Sequence, residues 1–152
     1  MPVKTGAAKF PVMKLTARSC ELCNASGGEV LWRDGFCRVV MVEEPDYPGF
    51  CRVILNRHVA EMTDLRPSQR ARLMNVVFAT EAALRAIARA DKVNLASLGN
   101  VVPHLHWHVI PRYRDDRHFP QPIWAKGSGR RSRRRARPDA MAIAARLKRL
   151  LG

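Results

Sequence analysis

The sequence predicts an α+β fold: an antiparallel sheet of about five strands, one long helix lying across it, and a basic C-terminal tail that ends in a short helix. Three observations predict this. Short runs rich in β-branched and aromatic residues recur between turn-forming residues, the pattern of hairpin-linked strands. One stretch, 67–90, changes to a helical period. Strands joined by tight turns, with a single covering helix, suit an antiparallel sheet packed on one face. With 152 residues and 47% hydrophobic composition, the chain is sized for one domain that buries a core without disulfide support.

Residues 1–18 have no clear period and are expected to form a flexible leader. Residues 29–33 read as a first strand, Asp34-Gly35 as a tight turn, and 36–42 as the partner strand. The segment 43–49 holds Pro45, Pro48 and Gly49, so it is a loop. A third strand follows over 50–56, after which Arg57 and His58 leave the sheet. Within 67–90, Leu73, Val76, Val77, Leu84, Ile87 and Ala88 share one helical stripe, and Pro67 suits the first helical position. Residues 93–98 make a fourth strand, and Leu98-Gly99-Asn100 turns the chain into a fifth. The main domain is thus expected over 19–125. A Gly, Ser and Arg linker follows over 126–137, and 138–152 carries an amphipathic helix with Ile143, Leu147, Leu150 and Leu151 on one face.

The fifth strand carries the chemistry. It reads His104-Leu105-His106-Trp107-His108-Val109-Ile110 between Pro103 and Pro111. Alternation sends Leu105, Trp107 and Val109 to one face and the three imidazoles to the other, roughly 7 Å apart. The chain has only five histidines. Three in strict alternation bring more donors and acceptors than a dry core satisfies, so a polar pocket is expected. Two chemistries fit such a row. Neutral imidazole is a competent nucleophile at cellular pH, and an H-x-H pair on a strand can also hold zinc with a ligand from elsewhere.

The pattern His-φ-His-φ-His-φ-φ, preceded by Gly99-Asn100-Val101-Val102, resembles the signature of the histidine triad (HIT) family of nucleotide hydrolases and transferases. The likeness extends upstream through Pro48-Gly49 and Val53-Ile54-Leu55-Asn56-Arg57-His58, covering roughly residues 20 to 125. It implies a HIT-like fold and a catalytic domain acting at the α-phosphate of a nucleoside 5′-phosphoryl compound, such as a dinucleoside polyphosphate or an adenylyl phosphoramidate. His106 would be the nucleophile that forms a nucleotidyl-histidine, and His108 would donate to a phosphate oxygen or the leaving group. The nucleotide would be held by Gly99, Asn100 and Val101, by Asn94, and by Glu43 at the ribose. Departures from the family pattern lie at Asn100-Val101, where members often carry Gln-Ser or Gln-Thr, and at Phe50, where a histidine often follows the glycine.

Cys20 and Cys23 are spaced for a metal or redox pair, while Cys37 and Cys51 fall inside strand-like runs and are read as small buried residues. The resemblance joins Cys20 and Cys23 to His58 and His104 as a structural zinc site. A closed four-ligand site leaves no open position for substrate, so the metal would not be needed for catalysis.

The formal charge of +14 is unevenly placed, because between Lys126 and Gly152 ten Lys or Arg stand against Asp139 alone. A basic tail makes nucleic acid a further candidate partner. The alternative function is therefore a nucleic-acid-binding protein with a non-catalytic nucleotide-binding domain, and a zinc-stabilised interaction module is a third. No apolar run suits a signal peptide or membrane span, so a cytoplasmic protein is expected. Homodimers joined through their sheets are common in the family and expected here.

Overall fold

A computed structural model describes residues 16–152, so most of the expected leader lies outside the described residues. After a single turn at Ala17–Ser19, the short helix α1 (Glu21–Asn24) leads into three strands, β1 (Glu29–Arg33), β2 (Cys37–Met41) and β3 (Cys51–Leu55). Helix α2 (Pro67–Ala88) then crosses to β4 (Lys92–Ala96) and β5 (His106–Arg112), and α3 (Ala140–Leu151) ends the chain. The sheet order is β1-β2-β3-β5-β4, with every neighbouring pair antiparallel.

Each local feature has a visible cause. The Asp34 carboxylate accepts from the backbone N–H of Phe36 and of Cys37, closing the β1–β2 turn. Pro67 opens α2 and Gln69 Oε1 accepts from the Arg66 N–H, satisfying one orphan donor of the first turn. The helix stops at Ala88, two residues before its sequence pattern does, because Arg89 takes a left-handed conformation with φ 50°.

Alternation in the strands divides the molecule. Val39 and Met41 of β2, Val53 and Leu55 of β3, and Val109 of β5 meet Leu73, Val76, Val77, Ala83 and Leu84 of α2 in the main core. Val40 of β2 and Ile54 of β3 face the other way, against Cys20 and Leu22 of the N-terminal segment. The strands therefore read as continuously buried although they alternate, because both faces are covered. Ile143 and Leu147 of α3 are fully buried in the same core as α2, so the helix beyond the basic linker is packed onto the domain. Asp139 caps α3, accepting from the Met141 and Ala142 N–H groups. The linker is also tied down, by ion pairs of Arg135 with Asp115 and of Arg137 with Glu29.

Two boundaries of the triad strand differ from the sequence pattern. β5 begins at His106, because residues 104–105 leave the regular ladder; the Leu105 N–H donates to the Val59 carbonyl instead. At the other end the strand runs through Pro111 to Arg112. Pairing with β3 ends at Cys51–Val109, so β4 alone flanks Pro111 and its missing N–H leaves β3 no gap to fill.

Behind β5, Arg112 is 1% exposed and forks onto Asp116, Nε to Oδ2 at 2.7 Å and Nη2 to Oδ1 at 2.9 Å. It also donates to Asn94 Oδ1 and to the Gln121 carbonyl. Asp116 is 4% exposed and takes the Phe119 N–H as well. Burial alone would raise its carboxyl, and Arg112, with the His118 and Tyr113 N–H groups, reverses that and holds it low. Replacing Asp116 with alanine strands the guanidinium in the interior, so urea unfolding should register a loss of about 3–5 kcal/mol; a loss below about 1 kcal/mol would show that the pair is unimportant.

Candidate active site

β3 and β5 lie side by side with Arg52 opposite His108 and Ile54 opposite His106. Their outward face, the loop 98–102, Glu21 and Leu22 of α1, and Trp124 enclose a cavity of about 430 Å³. That volume falls within the range of small-molecule sites. Gly99 bends the loop with φ 71°, a conformation that other residues adopt at a cost.

His106 is held in one tautomer. Its Nδ1 lies 2.6 Å from the His104 carbonyl oxygen, which can only accept, so Nδ1 carries the hydrogen and Nε2 keeps its lone pair. The His106 and His108 rings meet edge to face with centroids 4.7 Å apart, and Phe50 and Trp124 flank the His108 ring on other sides. Burial pushes the His108 imidazole down to about 3, with His106 and Arg52 adding to the shift. His106 is lowered as well, by burial first and despite its bond to the His104 carbonyl.

The His108 shift has a consequence for stability. The unfolded chain takes up a proton near pH 6.5, whereas folded His108 refuses it until about pH 3. Stability should therefore be fully present above pH 6.5 and fall progressively between 6.5 and 3. A series of urea titrations over that interval measures the slope, and His108→Gln should make it shallower. An unchanged slope in the variant would mean that His108 is not the group responsible.

A second cluster lies beside the first. The His104 Nε2 hydrogen is donated to the Leu55 carbonyl at 2.6 Å, which turns a bare Nδ1 toward Cys20 Sγ at 3.4 Å, Cys23 Sγ at 3.4 Å and His58 Nδ1 at 3.3 Å. All four ligand atoms lie within 4.8 Å of one another. A tetrahedral metal with Zn–N and Zn–S bonds of about 2.0–2.3 Å has ligand–ligand edges of roughly 3.3–3.8 Å, so this donor set could hold such an ion. Burial, followed by the neighbouring Cys20, raises the Cys23 thiol, and a cation between the sulfurs would relieve that.

The cavity brings together His106, His108, Gly99, Asn100 and Val101 as the sequence pattern suggests. Glu43 lies outside it, in a separate depression with Gly49, Arg135 and Arg137, because the chain leaves the sheet directly after β2. Asn94 is also outside; its side-chain oxygen is taken by Arg112. Glu21, Arg52 and Trp124 are cavity residues that the sequence reading did not single out. Arg52 was legible in one respect, since it shares the period-2 face of Ile54, whereas Trp124 sits on irregular backbone with no period to place it.

Known proteins resemble this arrangement at several levels. A bis(5′-nucleosyl)-tetraphosphatase (asymmetrical) of Schizosaccharomyces pombe is 28% identical over 121 residues, covering 76% of this chain and 59% of its own length. An AP-4-A phosphorylase of Mycobacterium tuberculosis is 32% identical over 101 residues, covering 60% of this chain and 50% of its own. The chain thus spans between half and three fifths of these curated relatives. A crystal structure of a histidine triad protein from Bradyrhizobium japonicum superposes with a TM-score of 0.64 at 27% identity, covering 84% of this chain and 92% of that one. The sequence model of the HIT domain matches residues 26–115, more than half of the chain and the whole span from β1 through the triad strand, and on that match the protein belongs to the HIT domain family.

Proposed function

We propose that the protein is a nucleotide hydrolase or transferase that acts at the α-phosphate of a nucleoside 5′-phosphoryl compound, a dinucleoside polyphosphate or an adenylyl phosphoramidate. The observation that carries this reading is the fixed tautomer of His106, whose lone pair remains on Nε2 in a ring that lines a cavity of small-molecule size. Nε2 attacks the α-phosphorus, a P–N bond forms, and the P–O or P–N bond to the leaving group breaks. Water or another acceptor then takes the nucleotide from the histidine. His108, 6% exposed beside it, donates to a phosphate oxygen or to the departing atom, and the 99–101 loop supplies backbone N–H groups to the same oxygens. The names of the two curated relatives, both enzymes of dinucleoside tetraphosphates, support this substrate class.

Zinc held by Cys20, Cys23, His58 and His104 belongs to the same proposal. Its role is structural: it fixes the N-terminal segment against the sheet and thereby the His104 backbone that orients His106. The reading is tested by mixing the protein with a dinucleoside polyphosphate labelled at the α-phosphate and quenching in alkaline denaturant, in which a P–N bond survives. Label should appear on protein as an acid-labile adduct that maps to His106. Turnover without any such adduct, under conditions that trap a known phosphohistidine, would overturn the covalent route.

A further inference from the structure

Two buried arginines are fully engaged, and a third, half-buried one is not. Arg38 donates to the Ser26, Leu22 and Ala25 carbonyls and to Asn56 Oδ1, and Arg112 to Asp116, Asn94 and Gln121. The third is Arg52. Its Nε is buried without a partner, and no hydrogen bond or ion pair of its guanidinium occurs among the described residues. Burying a guanidinium nitrogen without an acceptor is costly; Arg117 and Arg146 share that feature at Nε, and Arg52 is the one whose side chain lines the cavity.

Its position says which ligand. Arg52 stands directly across from His108 on the same face of the sheet and lines the cavity that holds His106. The Phe50 ring packs 5.7 Å from its guanidinium carbon and limits where the side chain can swing. Burial lowers the guanidinium from its ordinary value; Glu21 and Glu44 lie near enough to oppose that shift, yet neither forms an ion pair with it among the described residues. Among the residues lining the cavity, Arg52 is the one permanent cation, since imidazoles buried as His108 is remain neutral. Phosphoryl transfer leaves negative charge on oxygens that neutral donors stabilise less well than a charged fork does.

We propose that Arg52 is the phosphate-binding residue of the triad cleft, its guanidinium taking non-bridging oxygens of the substrate beside His106. This deepens the reading of the cleft as a nucleotide site and rests on it. The Nε edge offers two parallel N–H groups to a phosphate, a geometry that lysine cannot reproduce.

The experiment uses the full chain as wild type, Arg52→Gln and Arg52→Lys, with thermal melting to confirm that each is folded. Binding of inorganic tripolyphosphate is measured by calorimetry at two salt concentrations. Turnover is measured on a dinucleoside polyphosphate and on an adenylyl phosphoramidate with a neutral amine leaving group. Arg52→Gln should weaken tripolyphosphate binding about 30-fold and flatten its salt dependence, and Arg52→Lys should recover part of the affinity. A fall in kcat/KM of similar size on both substrates places Arg52 at the α-phosphate; a fall on the polyphosphate alone places it on the chain beyond. Either result supports the assignment. Binding within twofold of wild type, with kcat/KM unchanged on both substrates, overturns it while leaving the triad chemistry intact. If the wild type turns over neither substrate, the enzymatic reading fails, and the tripolyphosphate arm still decides whether Arg52 binds phosphate.

Discussion

Replacing His106 with glycine should lower kcat/KM for a dinucleoside polyphosphate at least ten-thousand-fold while leaving the protein folded. The size follows from what is removed. When the nucleophile of a covalent route is lost, only orientation and charge stabilisation remain, and comparable deletions cost four to six orders of magnitude. The fold should survive because His106 makes one side-chain hydrogen bond among the described residues, to the His104 carbonyl, and its ring faces a cavity and not the core between sheet and helix. His108→Ala removes a donor and not the attacking atom, so its loss should be nearer a hundredfold. Steady-state kinetics on the two variants measures the ratio. Equal losses, or activity in His106→Gly within tenfold of wild type, would mean that the attacking group is elsewhere.

The second large effect concerns metal. Zinc binding should be one ion per chain by elemental analysis, and Cys20→Ser should abolish it. The same variant should melt at least 10 °C lower, because a structural zinc contributes several kcal/mol and each kcal/mol shifts a domain of this size by roughly 2–4 °C. The structure gives the reason for that size: Cys20 and His104 are both completely buried, so without metal their polar ligand atoms are left in the interior. Removal of metal by a strong chelator should reproduce the lower melting temperature in the wild type and have no effect on Cys20→Ser. A protein that is isolated without metal and melts at the temperature of its Cys20→Ser variant would refute the site.

Much of the site was readable because it is written in short-range pattern. His106 and His108 stand two residues apart on a strand, so alternation alone puts them on one face, opposite Leu105 and Val109. The Gly99 turn precedes them by a fixed number of residues and adopts the positive φ that glycine permits. Glu43 and Asn94 were assigned by likeness of position in sequence, and there the chain's path intervenes. β2 ends at Met41 and the following loop carries Glu43 toward Arg135 and Arg137, while Asn94 is spent on Arg112. Neither partner is near in sequence, so no local pattern announces it.

The same limit explains the C-terminal region. Its run of arginines reads as a solvated tail, and the Ser, Gly and Arg composition of 126–137 gives no sign that Arg135 meets Asp115 or Arg137 meets Glu29. The amphipathic face of 140–151 does predict that the helix needs a partner. It does not say that the partner is α2 and β1 of its own domain, where Ile143 and Leu147 are buried.

By itself the sequence determined the α+β class, the five strands, the long helix and the row of imidazoles, because these depend on periods of two and 3.6 residues and on turn chemistry within a few residues. The tertiary structure alone decided which nitrogen of His106 is bare, how closely the four expected metal ligands approach one another, and which arginine is left without an acceptor in the cleft. Those are properties of pairs far apart along the chain, His104 with Cys20 and Leu55, and Arg52 with His108. Hydrogen bonds and charges act over a few ångströms of space, and distance in sequence carries no information about that space until the sheet is assembled.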